Sequence, residues 1–269
     1  MYWRDIFLSI PYIVCMGVVK IIFSNQKGGV GKTTTAVNLG AALAQSGKRV
    51  LLVDIDAQGN LTSSVSGDSH LPGTYEVIVG SIPAQDACQA TPVKNLFVMA
   101  GNINLAGLNV ELVDQESREF FLKKALAPIE DDWDYILVDC PPSLGVVTMN
   151  AMCWADYVVI PMQCEYFAME GLNLLMRTIA NVRRSLNPGL SILGIVFTMY
   201  NKRTRLANDV VEDVSAYFPK LVFTSKVPRN VRLSEAPSHG LPINVYDGSS
   251  IGAKSYKSLA EEVAERVSK

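Results

Sequence analysis

The chain has 269 residues, 49% hydrophobic and 19% charged, with a formal net charge of −2. This length and balance suit a sizeable globular core and exclude a disordered chain; the near-neutral charge excludes recognition of nucleic acid through a global basic field. Five cysteines, an odd number with no CxxC pair, point to reduced thiols in a cytoplasmic protein and away from a disulfide framework or a zinc site.

Residues 6–15 are apolar, but Pro11 interrupts them and Asp5 offsets Arg4. The run is shorter than the roughly 20 residues that span a bilayer, and no small-residue cleavage site follows it. Residues 1–16 are therefore read as an N-terminal extension not essential to the fold, ahead of a natural start at Met16, with no stable membrane insertion. Residues 17–269 form the domain.

The apolar residues 18–23 read as a buried strand. Asn25-Gln26-Lys27-Gly28-Gly29-Val30-Gly31-Lys32-Thr33-Thr34 follows, then a helix with apolar positions at helical spacing over 36–44. Strand, glycine-rich turn and helix make a phosphate cradle, in which backbone N–H groups and a helix N-terminus face one anion. Lys32 is expected to reach the β- and γ-phosphates and the Thr33 hydroxyl to ligate Mg²⁺. Gln26 stands where the general P-loop pattern has glycine, and Lys27 is an additional cation at the start of the loop.

Residues 50–53 read as a second buried strand, ending in Asp54-Ile55-Asp56-Ala57-Gln58-Gly59-Asn60. Ligand groups of open parallel sheets gather at the carboxyl ends of strands. Asp56 is assigned to orienting the attacking water, and Asp54 to the Mg²⁺ hydration shell or to fixing the loop; a turn with Asp caps is the competing reading. Short elements are expected at 74–79 (helix), 96–100 (strand) and 116–126 (helix). Residues 133–139 form a strand ending in Asp139, which would hold Mg²⁺ through water. Cys140-Pro141-Pro142-Ser143 makes a stiff turn.

A strand at 157–161 precedes a helix whose Leu172, Leu175, Met176, Ile179, Val182 and Leu186 form a core stripe. Another strand spans 192–198. Asn201-Lys202-Arg203-Thr204 lacks the carboxylate that pairs with guanine, which favours adenine, and the densest basic cluster runs from Lys202 to Arg205. The last helix, 251–269, mixes Glu261, Glu262, Glu265 and Arg266 on its polar face, unlike a basic membrane-surface helix. With no repeat or linker, the fold class is α/β: a single domain with a mostly parallel central sheet flanked by helices.

The loop at 26–35, the Asp54–Asn60 run, Asp139-Cys140-Pro141-Pro142-Ser143, Thr198-Met199-Tyr200 and the run from Val227 to Pro237 together resemble the ParA/Soj chromosome- or plasmid-partitioning ATPases, of the deviant Walker A (ParA/MinD) class of P-loop proteins. The resemblance covers about residues 18–267. It implies a Mg²⁺-dependent ATPase that closes as a homodimer around two ATP molecules, with Lys27 reaching the partner subunit's nucleotide. It further implies non-specific binding to double-stranded DNA, stimulation by a ParB-type centromere-binding partner and a nucleoid-associated location. On this reading Lys27, Lys32 and Asp56 are catalytic. Lys27, Gly28, Gly29, Val30, Gly31, Lys32, Thr33 and Thr34 bind phosphates, Val227 and Pro228 bind adenine, and Thr33, Asp54 and Asp139 serve the metal. Arg203, Arg205, Arg229 and Arg232 are the DNA contacts, with Lys202 and Lys226 as outliers. Ala57 and Asn201 depart from the family's usual proline and aspartate. The alternatives are a MinD-like spatial regulator of cell division, which needs a membrane-binding C-terminal helix, an electron carrier of the nitrogenase-iron-protein kind using Cys140 and Cys153, and a nucleotide-binding module that never turns over.

Overall fold

Strands that are apolar on both faces need cover on both faces, and the connections between parallel strands supply it as helices. The computed structural model describes residues 17–166 and 168–268; the extension expected at 1–16 lies outside them. The strands are β1 (Val19–Phe23), β2 (Val50–Asp54), β3 (Cys88–Ala90), β4 (Leu96–Met99), β5 (Tyr135–Asp139), β6 (Tyr157–Gln163) and β7 (Ser191–Thr198). They form one sheet in the order β3-β4-β2-β5-β1-β6-β7. Every pairing is parallel except the edge pair β3–β4.

The helices are α1 (Lys32–Gln45), α2 (Asn60–Ser64), α3 (Thr74–Ile78), α4 (Leu108–Glu111), α5 (Phe121–Leu126), α6 (Val146–Trp154), α7 (Ala168–Ser185), α8 (Arg205–Tyr217), α9 (Val231–Glu235), α10 (Ile243–Tyr246) and α11 (Ile251–Val267). Side chains alternate across the sheet with period two. Ile22, Leu51, Val53, Ile136 and Val138 pack under α5, α6, α7 and α8. Ile21, Phe23, Val50, Leu52 and Leu137 pack under α1 and α11. Each such fully buried side chain contributes roughly 1.5–3 kcal/mol.

The strands and long helices read from the sequence are present, with ends moved by a few residues. The helix expected at 116–126 is broken. Ser117 takes a left-handed φ of 56°, and a 3₁₀ turn (Arg118–Phe120) precedes α5. The reason is a tertiary clamp: the Asn150 side chain accepts the Leu122 N–H at 3.1 Å and donates to the Arg118 carbonyl at 2.7 Å, which replaces helix bonds there.

The C-terminal helix α11 is a packing element. Its Tyr256, Leu259 and Val263 are buried against the α1 side of the sheet, and no helix among the described residues is long and apolar enough to cross a membrane. Near its end the Arg266 guanidinium donates to the carbonyls of Leu193, Leu221 and Val222 at 2.8–3.2 Å and to Glu262 at 3.0 Å. Arg266→Ala is expected to remove about 2–3 kcal/mol of stability by leaving those carbonyls underbonded. The shift in urea midpoint at constant slope would read this loss.

Candidate active site

The loop after β1 is held from behind. Ser24 and Asn25 are buried; the Asn25 amide donates to the Pro161 carbonyl at 2.8 Å and its oxygen accepts the Lys27 N–H at 3.1 Å. The Gln163 amide donates to the Gly29 carbonyl at 2.9 Å, the Thr198 hydroxyl to the Val30 carbonyl at 2.7 Å, and the Thr35 hydroxyl to the Gly31 carbonyl at 2.7 Å. Gly29 and Gly31 sit at φ 74° and 83°, a region side chains disfavour. With these carbonyls engaged by side chains, the N–H groups from Gly28 to Thr34 remain for an anion. Helix α1 begins at Lys32 with no side-chain cap, so its first N–H groups and positive dipole end serve the same anion.

Beside the cradle stand two carboxylates on adjacent strands. Asp54 and Asp139 are register partners at the ends of β2 and β5, and both are buried. Asp139 accepts the Thr33 hydroxyl at 2.6 Å on one oxygen, while the other is buried without a hydrogen-bond partner among the described residues. Burial first, and then the neighbouring Asp54, push its carboxyl well above the usual carboxylate range; Thr33 and Lys32 oppose the shift. Burial likewise pushes Asp54 up to about 6, against the Thr62 and Asp56 donors. Two buried acids side by side beside an orphaned oxygen and a threonine hydroxyl suit a hard divalent cation, which offsets both charges. Thr33 and Asp139 fit that role. Asp54 is differently placed, since its oxygens take the Asp56 N–H and both donors of Thr62. Of its two expected duties, the geometry matches fixing the loop. Asp56 is half-buried and accepts the Gln58 N–H at 3.0 Å.

The two lysines of the loop part company. Lys32 is 7% exposed. Lys27 is half-exposed and ion-pairs with Glu165; with Gln26, Glu170, Asn173, Leu174 and Arg177 it borders an open cavity of about 620 Å³. Val227 and Pro228 line a cavity of about 270 Å³ that runs from Gly31 and Thr34 past Met199 to Leu233 and Tyr256. Pro228 and Arg229 also border a basic groove of about 610 Å³ with Tyr200, Lys202, Arg203 and Lys226.

Arg203 and Arg229 thus share one groove, with Lys202 and Lys226 beside them. Arg205 lies outside it on α8, 3.7 Å from Asp209. Arg232 is held on α9 by Glu235 at 2.9 Å and Asp247 at 3.7 Å. Cys140 and Cys153 are both buried, which removes them as exposed ligands for a cluster shared between subunits.

Sequence reading gave no role to Gln163 and Thr198, which pin the loop, or to Tyr256, whose hydroxyl lies 3.3 Å from that of Thr35. Their signal is positional: Gln163 and Thr198 end β6 and β7, on the edge where the site lies, but nothing local marks either as a loop anchor.

A family model described as an AAA domain matches residues 18–192. The chain is 53% identical over 246 residues to the chromosome-partitioning ATPase Soj of Treponema pallidum, spanning 91% of this chain and 97% of that protein. It is 52% identical over 246 residues to the sporulation initiation inhibitor protein Soj of Bacillus subtilis, with the same coverage of 91% and 97%. Among solved structures it is similar to a cobyrinic acid a,c-diamide synthase from Mycobacterium smegmatis with bound ADP and magnesium, at 36% identity and a TM-score of 0.82, covering 94% of this chain and 96% of that one.

Replacing Thr198 by valine keeps its shape and removes the bond to the Val30 carbonyl. The lost buried bond should cost about 1 kcal/mol of stability, read as a fall of roughly 2–4 °C in thermal midpoint, and the loosened loop should bind a fluorescent ATP analogue more weakly in a titration.

Proposed function

The chain belongs to the Soj/ParA family of chromosome-partitioning ATPases, and we propose that it couples ATP hydrolysis to a cycle of dimerisation and DNA binding that positions chromosomal or plasmid DNA. The observation that carries this reading is the sorting of the two loop lysines. Lys32 is buried in the cradle, where it serves the chain's own nucleotide. Lys27 is half-exposed and ion-paired with Glu165. A cation there meets the triphosphate of a second copy closing face to face, and in a water-excluded boundary that attraction is far stronger than on an open surface.

Within one subunit, the Gly28–Thr34 backbone cradles the phosphates and Lys32 draws the β- and γ-groups into line. Thr33 and Asp139 would hold magnesium, which would supply neutralising charge to the phosphate oxygens. Asp56 orients the attacking water. Val227 and Pro228 flank adenine in the cavity that opens from Gly31 and Thr34. Phosphoryl transfer needs little more than such positioning and electrostatics. The bound ADP and magnesium of the Mycobacterium smegmatis structure support the same ligand chemistry.

DNA lies along the groove of Lys202, Arg203, Lys226 and Arg229, and dimerisation doubles this modest patch. Arg205 and Arg232 flank it, each already tied to a carboxylate. Pro228 and Arg229 belong to both the base cavity and the groove, so nucleotide and DNA share a wall. A ParB-type partner stimulates hydrolysis and releases the DNA, and the protein is nucleoid-associated while ATP is bound. The buried apolar face of α11 weighs against the MinD-like alternative.

Two outcomes test this. Light scattering with a non-hydrolysable ATP analogue should show a dimer for the native chain and a monomer for Lys27→Ala, with analogue affinity retained within about threefold; a native monomer at saturation would contradict the reading. Fluorescence anisotropy on duplex DNA should show tighter binding with ATP than with ADP. Replacing both Arg203 and Arg229 by alanine should lower the slope of log affinity against log salt by about 2 per chain in contact. Equal affinity in both nucleotides, or an unchanged slope, would contradict it.

A further inference from the structure

Asp54 is fully buried, yet no charged partner among the described residues accounts for it. Its partners are one threonine and one backbone amide. The Thr62 N–H and the Thr62 hydroxyl both donate to Oδ2, at 2.9 and 2.8 Å, and the Asp56 N–H donates to Oδ1 at 3.1 Å. The Thr62 hydroxyl oxygen in turn accepts the Gly101 N–H at 2.9 Å. A chain of bonds therefore runs from the end of β4 through Thr62 and Asp54 to the backbone of Asp56. Its packing leaves no slack. A Cβ at Gly101 would lie 2.8 Å from the Asp54 carboxyl carbon and 3.0 Å from the Asp56 carbonyl, and one at Gly59 would lie 3.1 Å from the Gly101 carbonyl. The loop is also tied to β5, where the Ile55 N–H donates to the Asp139 carbonyl at 3.3 Å.

Holding a surface loop does not require a buried carboxylate, which is costly to desolvate. What the arrangement fixes is the backbone of Asp56, an acidic residue left half-buried just after β2 beside the cradle. We propose that Thr62 is a positioning residue for ATP hydrolysis: through Asp54 it sets where the Asp56 carboxylate stands, with Gly101 as the fixed end of the relay. The inference rests on Asp56 directing the attacking water. Thr62 is buried and acts on the geometry of Asp56, where small misplacement is expensive in rate.

The test is single-turnover phosphate release by the full chain with saturating ATP and DNA, alongside titration of a fluorescent ATP analogue. Thr62→Val keeps the shape and loses the hydroxyl. It should slow release about 10- to 100-fold and leave analogue affinity within about threefold, a split that a merely structural role would not give. Thr62→Ser, which restores the hydroxyl, should return release to within about threefold of the native rate. Asp56→Asn should be slow, and adding Thr62→Val to it should slow it no further, since both act at one point. If the valine variant does not fold, Thr62→Ala is read in the same way. Native rates for the valine variant, equal losses in rate and affinity, a serine variant as slow as the valine one, or multiplying effects in the double variant would each overturn the role of Thr62. A native rate for Asp56→Asn would overturn the reading of Asp56 and this inference with it, whereas a slow Asp56→Asn beside a native-rate valine variant overturns the inference alone.

Discussion

Two carboxylates forced side by side out of water are the constraint on which the site turns. The parallel register of β2 and β5 puts Asp54 against Asp139, and helices cover both faces of the sheet. Neither charge can be hydrated where it lies, and Asp54 adds to the burial that resists ionisation of Asp139. The protein treats the pair unequally. Asp54 receives three donors from its own chain. Among the described residues Asp139 receives only the Thr33 hydroxyl, and its second oxygen has no protein partner. One acid is held as a strut and the other keeps an oxygen that suits a cation, and their difference lies in what surrounds them rather than in residue type.

The same economy explains the phosphate loop. Its glycines permit the turn, but they do not hold it. Gln163, Thr198 and Thr35 each engage one of three successive carbonyls, so the rigidity of the loop comes from the ends of β6 and β7 and from the first turn of α1. Thr35 in turn meets Tyr256 of α11. The C-terminal helix, 221 residues along the chain from that threonine, is part of the scaffold that keeps the cradle open to an anion.

How much of this was readable in advance depended on how local the cause was. Apolar runs fixed by period, such as Ile136 to Val138, declare a buried strand, and the spacing from Lys27 to Thr33 declares a phosphate loop, because both are consequences of neighbouring residues. Strand order, the antiparallel edge at β3, and the break at Ser117 are not local. The last follows from Asn150 reaching across to Leu122 and Arg118. Asp54 was recognisable as important from its place at a strand end, but its choice between metal and loop depended on Thr62 and Gly101, whose own positions are set by folding. Likewise the basic residues from 202 to 232 look equivalent along the chain. Only packing divides them into Arg203 and Arg229, which share a groove, and Arg205 and Arg232, which are paired with acids elsewhere.

The central claim is that Asp139 and Thr33 complete a metal-dependent nucleotide site beside the cradle. Calorimetric titration of a non-hydrolysable ATP analogue, with magnesium and with chelator, tests it most directly. The account predicts that magnesium tightens binding at least about 10-fold in the native chain and that Asp139→Ala abolishes the difference. Equal affinity with and without magnesium in the native chain, or an undiminished magnesium effect in Asp139→Ala, would contradict it.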